Sequence, residues 1–281
     1  MKRNNSALIW QEIIWQRPFT QSDVLELFTH LAVLSPRKQI VWEVRGSAGK
    51  VRYFVATQRR YMKPLKTAIT AHGQITFSDV ADNTRKDVDF ARLIKRSKPA
   101  LSLATAKSLS VLKTALSALA EAKKGETLVI QIILGESHTP TPSPDKAENP
   151  HANLLDKVCG TVGTASAESL TSIKNKAVQH GFLSVIRIGA TAKYATRVVG
   201  LLNGLTSAFR QFETAGVKIT FPTADPDHLN QAKIPFFLLL QLSIAELAGF
   251  ALVMYFFDSI YGDLQMSQSV TIFIKKCQKM R

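Results

Sequence analysis

Eight lysines and arginines stand in two short runs of the first hundred residues, and side chains of this type bind phosphate groups. The runs are Arg59, Arg60, Lys63 and Lys66, then Arg92, Lys95, Arg96 and Lys98. Residues 1–100 hold 18 Lys and Arg against 8 Asp and Glu, and the whole chain carries a formal charge of +15. Such a field favours contact with DNA or RNA or with an anionic membrane surface, and a solvated basic face is the third interpretation.

Residue types that carry catalysis or bind a metal form no recognisable motif. A P-loop needs a longer glycine-rich loop that ends in Lys and Ser or Thr, and the stretch from Gly46 to Lys50 fits a hairpin turn better. The six histidines include no closely spaced pair that could share a metal. Cys159 and Cys277 match no metal-ligand spacing and are interpreted as free thiols of a reducing compartment. The sequence therefore predicts no cofactor and no enzymatic activity.

A repeated order of strands and helices must position the basic runs. Residues 39–77 are predicted to form a hairpin, an amphipathic helix and a strand, and residues 182–221 to form a strand, a helix and a strand. Gly46 and Gly49 permit the positive φ angles of the hairpin turn. The pattern predicts an α+β fold made of tandem ferredoxin-like-type modules with antiparallel or mixed sheets.

Changes in composition set the predicted domain boundaries. Residues 1–135 form a basic first module and residues 154–233 a second module. Residues 136–153 between them hold four prolines and few apolar side chains, which predicts a linker or an exposed loop. Residues 234–281 are predicted to form a hydrophobic helical segment followed by a divergent tail.

The most hydrophobic stretch of the chain runs from Pro235 to Phe257 and could span a bilayer core of roughly 30 Å. Glu246 lies within it and would cost roughly 3 kcal/mol at the bilayer centre unless it is paired. Two interpretations follow, a membrane span and a buried or partner-facing segment. The expected location is therefore cytoplasmic, with the chain free, peripheral to the cell membrane or anchored in it.

Four segments carry a family resemblance. They are RPF…VLELFTHLAVLSPRKQIVWEVRGSAGKVRYFVATQ between residues 17 and 58, VIQIILG at 129–135, KAVQHGFLSVIRIGATA at 176–192 and LSIAELAG at 242–249. Together they resemble the N-terminal region of actinobacterial-type conjugal-transfer ATP-binding proteins. Those proteins belong with the conjugative type IV secretion and FtsK/HerA-like DNA-translocating ATPases.

The resemblance implies a docking and assembly region that, in this family, precedes a P-loop motor. After Gly249 the chain departs from the family pattern, so no Walker residues carry over. A form truncated or frameshifted before the motor is expected, and a short form that works without a motor is the alternative. The implied partners are membrane components of a secretion channel, like subunits in a homo-oligomer, and DNA on the basic module, with membrane contact through Pro235 to Phe257. The alternatives are a stand-alone basic nucleic-acid-binding module and a membrane-anchored secretion subunit.

Overall fold

A computed structural model of the protein describes residues 8–16, 20–34, 39–81, 84–152, 154–234 and 240–255. Its strands are β1 (Leu8–Trp15), β2 (Ile40–Ser47), β3 (Lys50–Gln58), β4 (Ile75–Asp79), β5 (Phe90–Leu93), β6 (Lys95–Arg96), β7 (Thr127–His138), β8 (Gly181–Thr191), β9 (Ile219–Thr220), β10 (Thr223–Ala224) and β11 (Leu240–Ser243). Its helices are α1 (Gln21–Leu34), α2 (Arg59–Ala71), α3 (Ser108–Ala120), α4 (Leu154–Cys159), α5 (Ala167–Ala177), α6 (Ala195–Arg210), α7 (Pro226–Asn230) and α8 (Ile244–Tyr255). The predicted α+β class is confirmed.

One antiparallel sheet joins strands from both predicted modules. Its order is β10-β5-β8-β7-β2-β3-β1-β4, and β11 also pairs with β8. Strand β7 of the first module pairs with β8 of the second over most of its length. On the other edge of β8, β5 pairs with residues 187–190 and β11 with residues 181–184. The stretch predicted as a linker, 136–153, therefore does not separate two sheets.

The helices α1, α2, α3, α6 and α8 cover one face of this sheet and bury the main hydrophobic core against it. Strand β7 is buried on both faces from Thr127 to Leu134, as its continuous apolar run predicts. The buried positions of α6 recur every three or four residues, which confirms its predicted amphipathic pattern; they include Val198, Leu201, Leu202, Leu205 and Phe209. The second face is covered by residues 84–89, α7 and residues 231–234 around two smaller apolar clusters.

The hairpin between β2 and β3 is confirmed, but its turn uses one of the predicted glycines and not the other. Ala48 and Gly49 occupy the turn with φ angles of 52° and 73°. Gly46 lies inside β2, where an added Cβ would come within 2.1 Å of the backbone oxygen of Leu119. Gly46 is therefore required for the close approach of α3 to the sheet and not for the turn.

We expect Gly49→Ala to lower the free energy of unfolding by about 1 kcal/mol, because an L side chain at this positive φ is strained. An added Cβ at position 49 meets no atom within 4 Å, so the cost comes from the backbone alone. Urea denaturation measures it. Gly163→Ala is the control, since Gly163 also has open space around it but no φ in the left-handed region. If both variants lowered the free energy of unfolding equally, the strain assigned to the hairpin turn would be contradicted.

Residues 136–153 are tied to the rest of the molecule at several points. Residues 136–138 are the end of β7, and the Thr141 amide donates to the Ala177 carbonyl at 2.8 Å. Glu148 forms a β-bridge with Thr164. The prolines exclude regular structure from most of this stretch, as predicted, while backbone hydrogen bonds attach it beside α5.

The hydrophobic stretch 235–257 is divided between two elements. Residues 240–243 form β11 and residues 244–255 form α8, whereas 235–239 and 256–281 lie outside the described residues. The described part of α8 packs against α1 and α3, and Leu247, Ala248 and Phe250 are buried there. Across the described ranges, no helix has the length and apolar character that crossing a bilayer requires.

Candidate anion-binding surfaces

The first basic run lies on α2, and three of its members face solvent. Arg59, Arg60 and Lys63 are exposed, and none of them pairs with a carboxylate of the residues that the structure describes. Lys66 is half-buried and donates to Gln11 Oε1 at 2.5 Å. The first three cations are therefore free to meet a ligand, while Lys66 also holds the helix against β1.

The start of α2 concentrates positive charge where a helix tolerates it least. Arg59 and Arg60 open the helix, its first turn contains no acidic residue, and the side chain of Gln58 does not cap it. Positive side chains at a helix N-terminus oppose the helix dipole and cost roughly 0.3–1 kcal/mol each. Beside them lies an open hollow of about 580 Å³, which Arg59, Lys63 and Lys66 line. This arrangement favours a bound anion.

The second basic run divides between the surface and the interior. Arg92 lines a hollow of about 640 Å³ beside α6, and its Nη1 donates to Asn203 Oδ1 at 3.4 Å. Lys95 and Lys98 are half-buried. The predicted surface contact at Arg96 is wrong, because its side chain is only 2% exposed and its Nη1 pairs with Glu246 Oε1 at 2.8 Å. Arg96 is a structural residue.

The two runs do not form one continuous surface. Strand β3, which leads into α2, and strand β5, which carries Arg92, are separated in the sheet by β8, β7 and β2. With strands about 4.8 Å apart, this places the runs roughly 20 Å from each other. The two basic runs are thus close in sequence but lie on opposite sides of the helical layer.

Glu246 lies at the centre of a buried polar site that joins three parts of the chain. Its Oε1 accepts from Arg96 Nη1, and its Oε2 lies 3.4 Å from Lys176 Nζ. The backbone amides of Leu103 and Ser243 donate to its two oxygens at 3.0 and 2.9 Å. The carboxylate in the most hydrophobic stretch therefore has the partners that its burial requires.

A second buried network crosses the other face of the sheet. Glu43, Gln131 and Arg187 are directly opposite one another on β2, β7 and β8. Gln131 Nε2 donates to Glu43 Oε2 at 3.0 Å, and Arg187 Nη1 donates to Gln131 Oε1 at 3.2 Å. Burial lowers the pKa of Arg187 to about 10, against the opposing effect of the Asp225 carboxylate. The three side chains are buried, and their hydrogen bonds connect β2, β7 and β8.

One carboxylate of this row faces two guanidinium groups. Glu43 is completely buried, and its Oε1 accepts from Arg45 Nε and lies 3.1 Å from Arg85 Nε. Arg85 also stacks on the Trp10 ring at 3.7 Å. Burial by itself would raise the pKa of Glu43, and the positive charges of Arg45 and Arg85 reverse that effect and lower it. The contact between Glu43 and Arg45 could have been predicted from the sequence. The two residues are two positions apart, which puts both charges on one face of an otherwise apolar strand.

Two histidines that are far apart in sequence meet between α1 and the end of α2. His30 Nδ1 and His72 Nε2 are 3.2 Å apart, and His72 Nδ1 is 3.9 Å from Glu26 Oε2. Sequence spacing could not reveal this contact because it depends on how the helices pack. No group of three or more metal-binding side chains occurs in the described part of the chain.

Comparison with protein-family models finds no match to this chain. Comparisons with curated proteins and with solved structures likewise give no match.

Proposed function

We propose that this chain is a non-catalytic docking module of a conjugative DNA-transfer machine, and that the exposed face of α2 is its nucleic-acid contact. One observation carries the DNA contact: Arg59, Arg60 and Lys63 are adjacent, exposed and without a carboxylate partner among the described residues. Cations in this arrangement bind phosphate backbones without regard to base sequence.

The wider part of the proposal rests on the resemblance of the four sequence segments to conjugal-transfer ATP-binding proteins. Under it, the segments around β2–β3–α2–β4 and β8–α6–β9 are ferredoxin-like-type modules, and the chain works without ATPase activity of its own. Its partners are membrane components of a type IV secretion channel and like subunits, and it acts at the cytoplasmic side of the cell membrane.

A stand-alone nucleic-acid-binding protein is the second candidate. The observation that favours it is the additional basic hollow beside β5, where Arg92 and Arg210 lie together on the far flank of the helical layer. Two separate basic surfaces would let one chain follow a nucleic acid over a longer path than α2 alone provides.

Reversing the charge of Arg59, Arg60 and Lys63 together should weaken DNA binding at least tenfold at about 50 mM salt, because the phosphate contacts and their released counterions are lost. The slope of log affinity against log salt should also become shallower, by up to about one unit per lost contact. Fluorescence anisotropy with a labelled oligonucleotide, repeated over a salt series, measures both quantities. Circular dichroism confirms that α2 is still folded.

The matched control makes the same change in charge elsewhere. Lys107, Lys113 and Lys218 are exposed and pair with no described carboxylate, so reversing all three alters the net charge equally without touching α2. An equal loss of affinity in the two triple variants would show that only the overall charge matters. The contact assigned to α2 would then be rejected.

A further inference from the structure

A third basic hollow lies at the hairpin end of the sheet, in addition to those beside α2 and β5. It has a volume of about 330 Å³ and is bordered by the β2–β3 turn, the start of β7 and residues 84–86. Five of its lining residues are cationic: Arg45, Lys50, Arg52, Lys86 and Lys124. No carboxylate is among the described residues that line it. Its walls thus present positive charge from three separate segments of the chain.

Arg45 at the base of this hollow is buried and incompletely bonded. Its residue is 2% exposed, its Nε donates to Glu43 and its Nη1 donates to the carbonyl of Lys86. Its Nη2 is buried and has no hydrogen-bond partner among the described residues. Nη2 is closed to solvent, so Arg45 contributes its positive charge to the wall of the hollow and not an exposed donor.

The charges around the base do not balance. Glu43 is shared between Arg45 and Arg85, so one carboxylate serves two guanidinium groups. At the margin, Glu12 lies 3.7 Å from Arg52, and the exposed Asp87 acts on Arg85. Lys50, Lys86 and Lys124 are exposed and pair with no described carboxylate. Positive charge therefore exceeds negative charge both at the base and at the rim.

We propose that this hollow is a binding site for a compact phosphate anion, such as a polyphosphate chain or the phosphates of a nucleotide or of nucleic acid. Arginine and lysine donors that converge on one hollow are the usual partners of phosphate oxygens. A volume near 300 Å³ is at the lower end for ligand sites, which suits a compact anion. The site does not depend on the proposed function of α2, from which it is separated by the length of β3.

Isothermal titration calorimetry with tripolyphosphate tests the site on the full chain. We expect one tripolyphosphate per chain, with at least tenfold weaker binding in the triple variant Lys50→Gln, Lys86→Gln, Lys124→Gln, because three charge-assisted contacts are lost. These side chains are exposed, so the variant should fold normally. Matched neutralisation of Lys107, Lys113 and Lys218, and charge reversal on α2, should both leave the affinity within about twofold.

A second arm distinguishes the source of the phosphate. If a short oligonucleotide displaces tripolyphosphate from both the wild type and the α2 variant, the hollow takes nucleic-acid phosphates by itself. If it displaces tripolyphosphate from the wild type but not from the α2 variant, a strand reaches the hollow only when α2 holds it. If the oligonucleotide displaces it from neither, the ligand is a free phosphorylated molecule. All three results support the site. Absence of tripolyphosphate binding, or an equal loss in the hollow variant and its matched control, would overturn it.

Discussion

Replacing Glu43 with glutamine should lower the free energy of unfolding by about 3–5 kcal/mol, because it leaves two buried guanidinium groups without their counter-charge. Arg45 and Arg85 both depend on this carboxylate, and Gln131 donates to its second oxygen. Glutamine would also bring an amide donor into a site where every neighbour already donates. Chemical denaturation with a two-state fit measures the loss.

The control for Glu43 is Glu12→Gln, which removes another carboxylate that faces an arginine. The Glu12–Arg52 pair is 3.7 Å apart, and the Arg52 side chain is 42% exposed, so its loss should cost less than about 1 kcal/mol. A loss for Glu43→Gln as small as that for Glu12→Gln would contradict the role given to the buried network.

The pH dependence of the Glu43 variant gives a second check. The folded-state pKa of Glu43 is lower than its unfolded value, so the unfolded chain binds more protons between those two values. Stability from this group is therefore present above the unfolded pKa, near 4.5, and is lost as the pH falls through the folded pKa. The gap in stability between wild type and Glu43→Gln should be widest above about pH 5 and should narrow in acid.

Glu246→Gln should destabilise the protein by about 3 kcal/mol, since Arg96 and Lys176 would be left buried without a carboxylate. Its effect should also be local. The amide of Ser243 donates to Glu246, and residues 240–243 form the strand that lies against β8, so hydrogen exchange should accelerate most in β11. Mass spectrometry of exchanged peptides, together with denaturation, measures both effects.

Glu121→Gln is the matched control for the Glu246 variant. The Glu121 side chain is 63% exposed and pairs with Arg197 at 3.2 Å, so this variant should lose less than about 1 kcal/mol and leave exchange in β11 unchanged. If Glu246→Gln unfolded the molecule uniformly, with no preference for β11, the carboxylate would not be holding that strand in place.

The features that could be predicted from the sequence depend on residues close together in the chain. The hairpin, the amphipathic pattern of α6 and the double burial of β7 follow from local alternation and turn chemistry. The pairing of β7 with β8 in a single sheet could not be predicted in this way, because apolar strands carry little information about which neighbour they join.

Contacts between distant segments also decide which of the predicted basic residues are exposed. A charge run in the sequence shows how many cations are close together but not which of them find a carboxylate. Arg96 is buried against Glu246, and this pairing could not be predicted because the two residues are 150 positions apart in the chain. The hairpin-end hollow escaped prediction because Lys50, Lys86 and Lys124 belong to three separate segments, each with an unremarkable charge.

The outer edge of β8 has a consequence for how the chain folds as it is synthesised. Strand β5, at residues 90–93, is made before β8, whereas β11, at residues 240–243, is made well after it. Until β11 emerges from the ribosome, the backbone of residues 181–184 has no strand on that side, and unpaired edges of this kind join other chains. By pairing with β8, β11 covers an edge that could otherwise join other chains, so we expect the segment around Glu246 to affect soluble yield as well as stability.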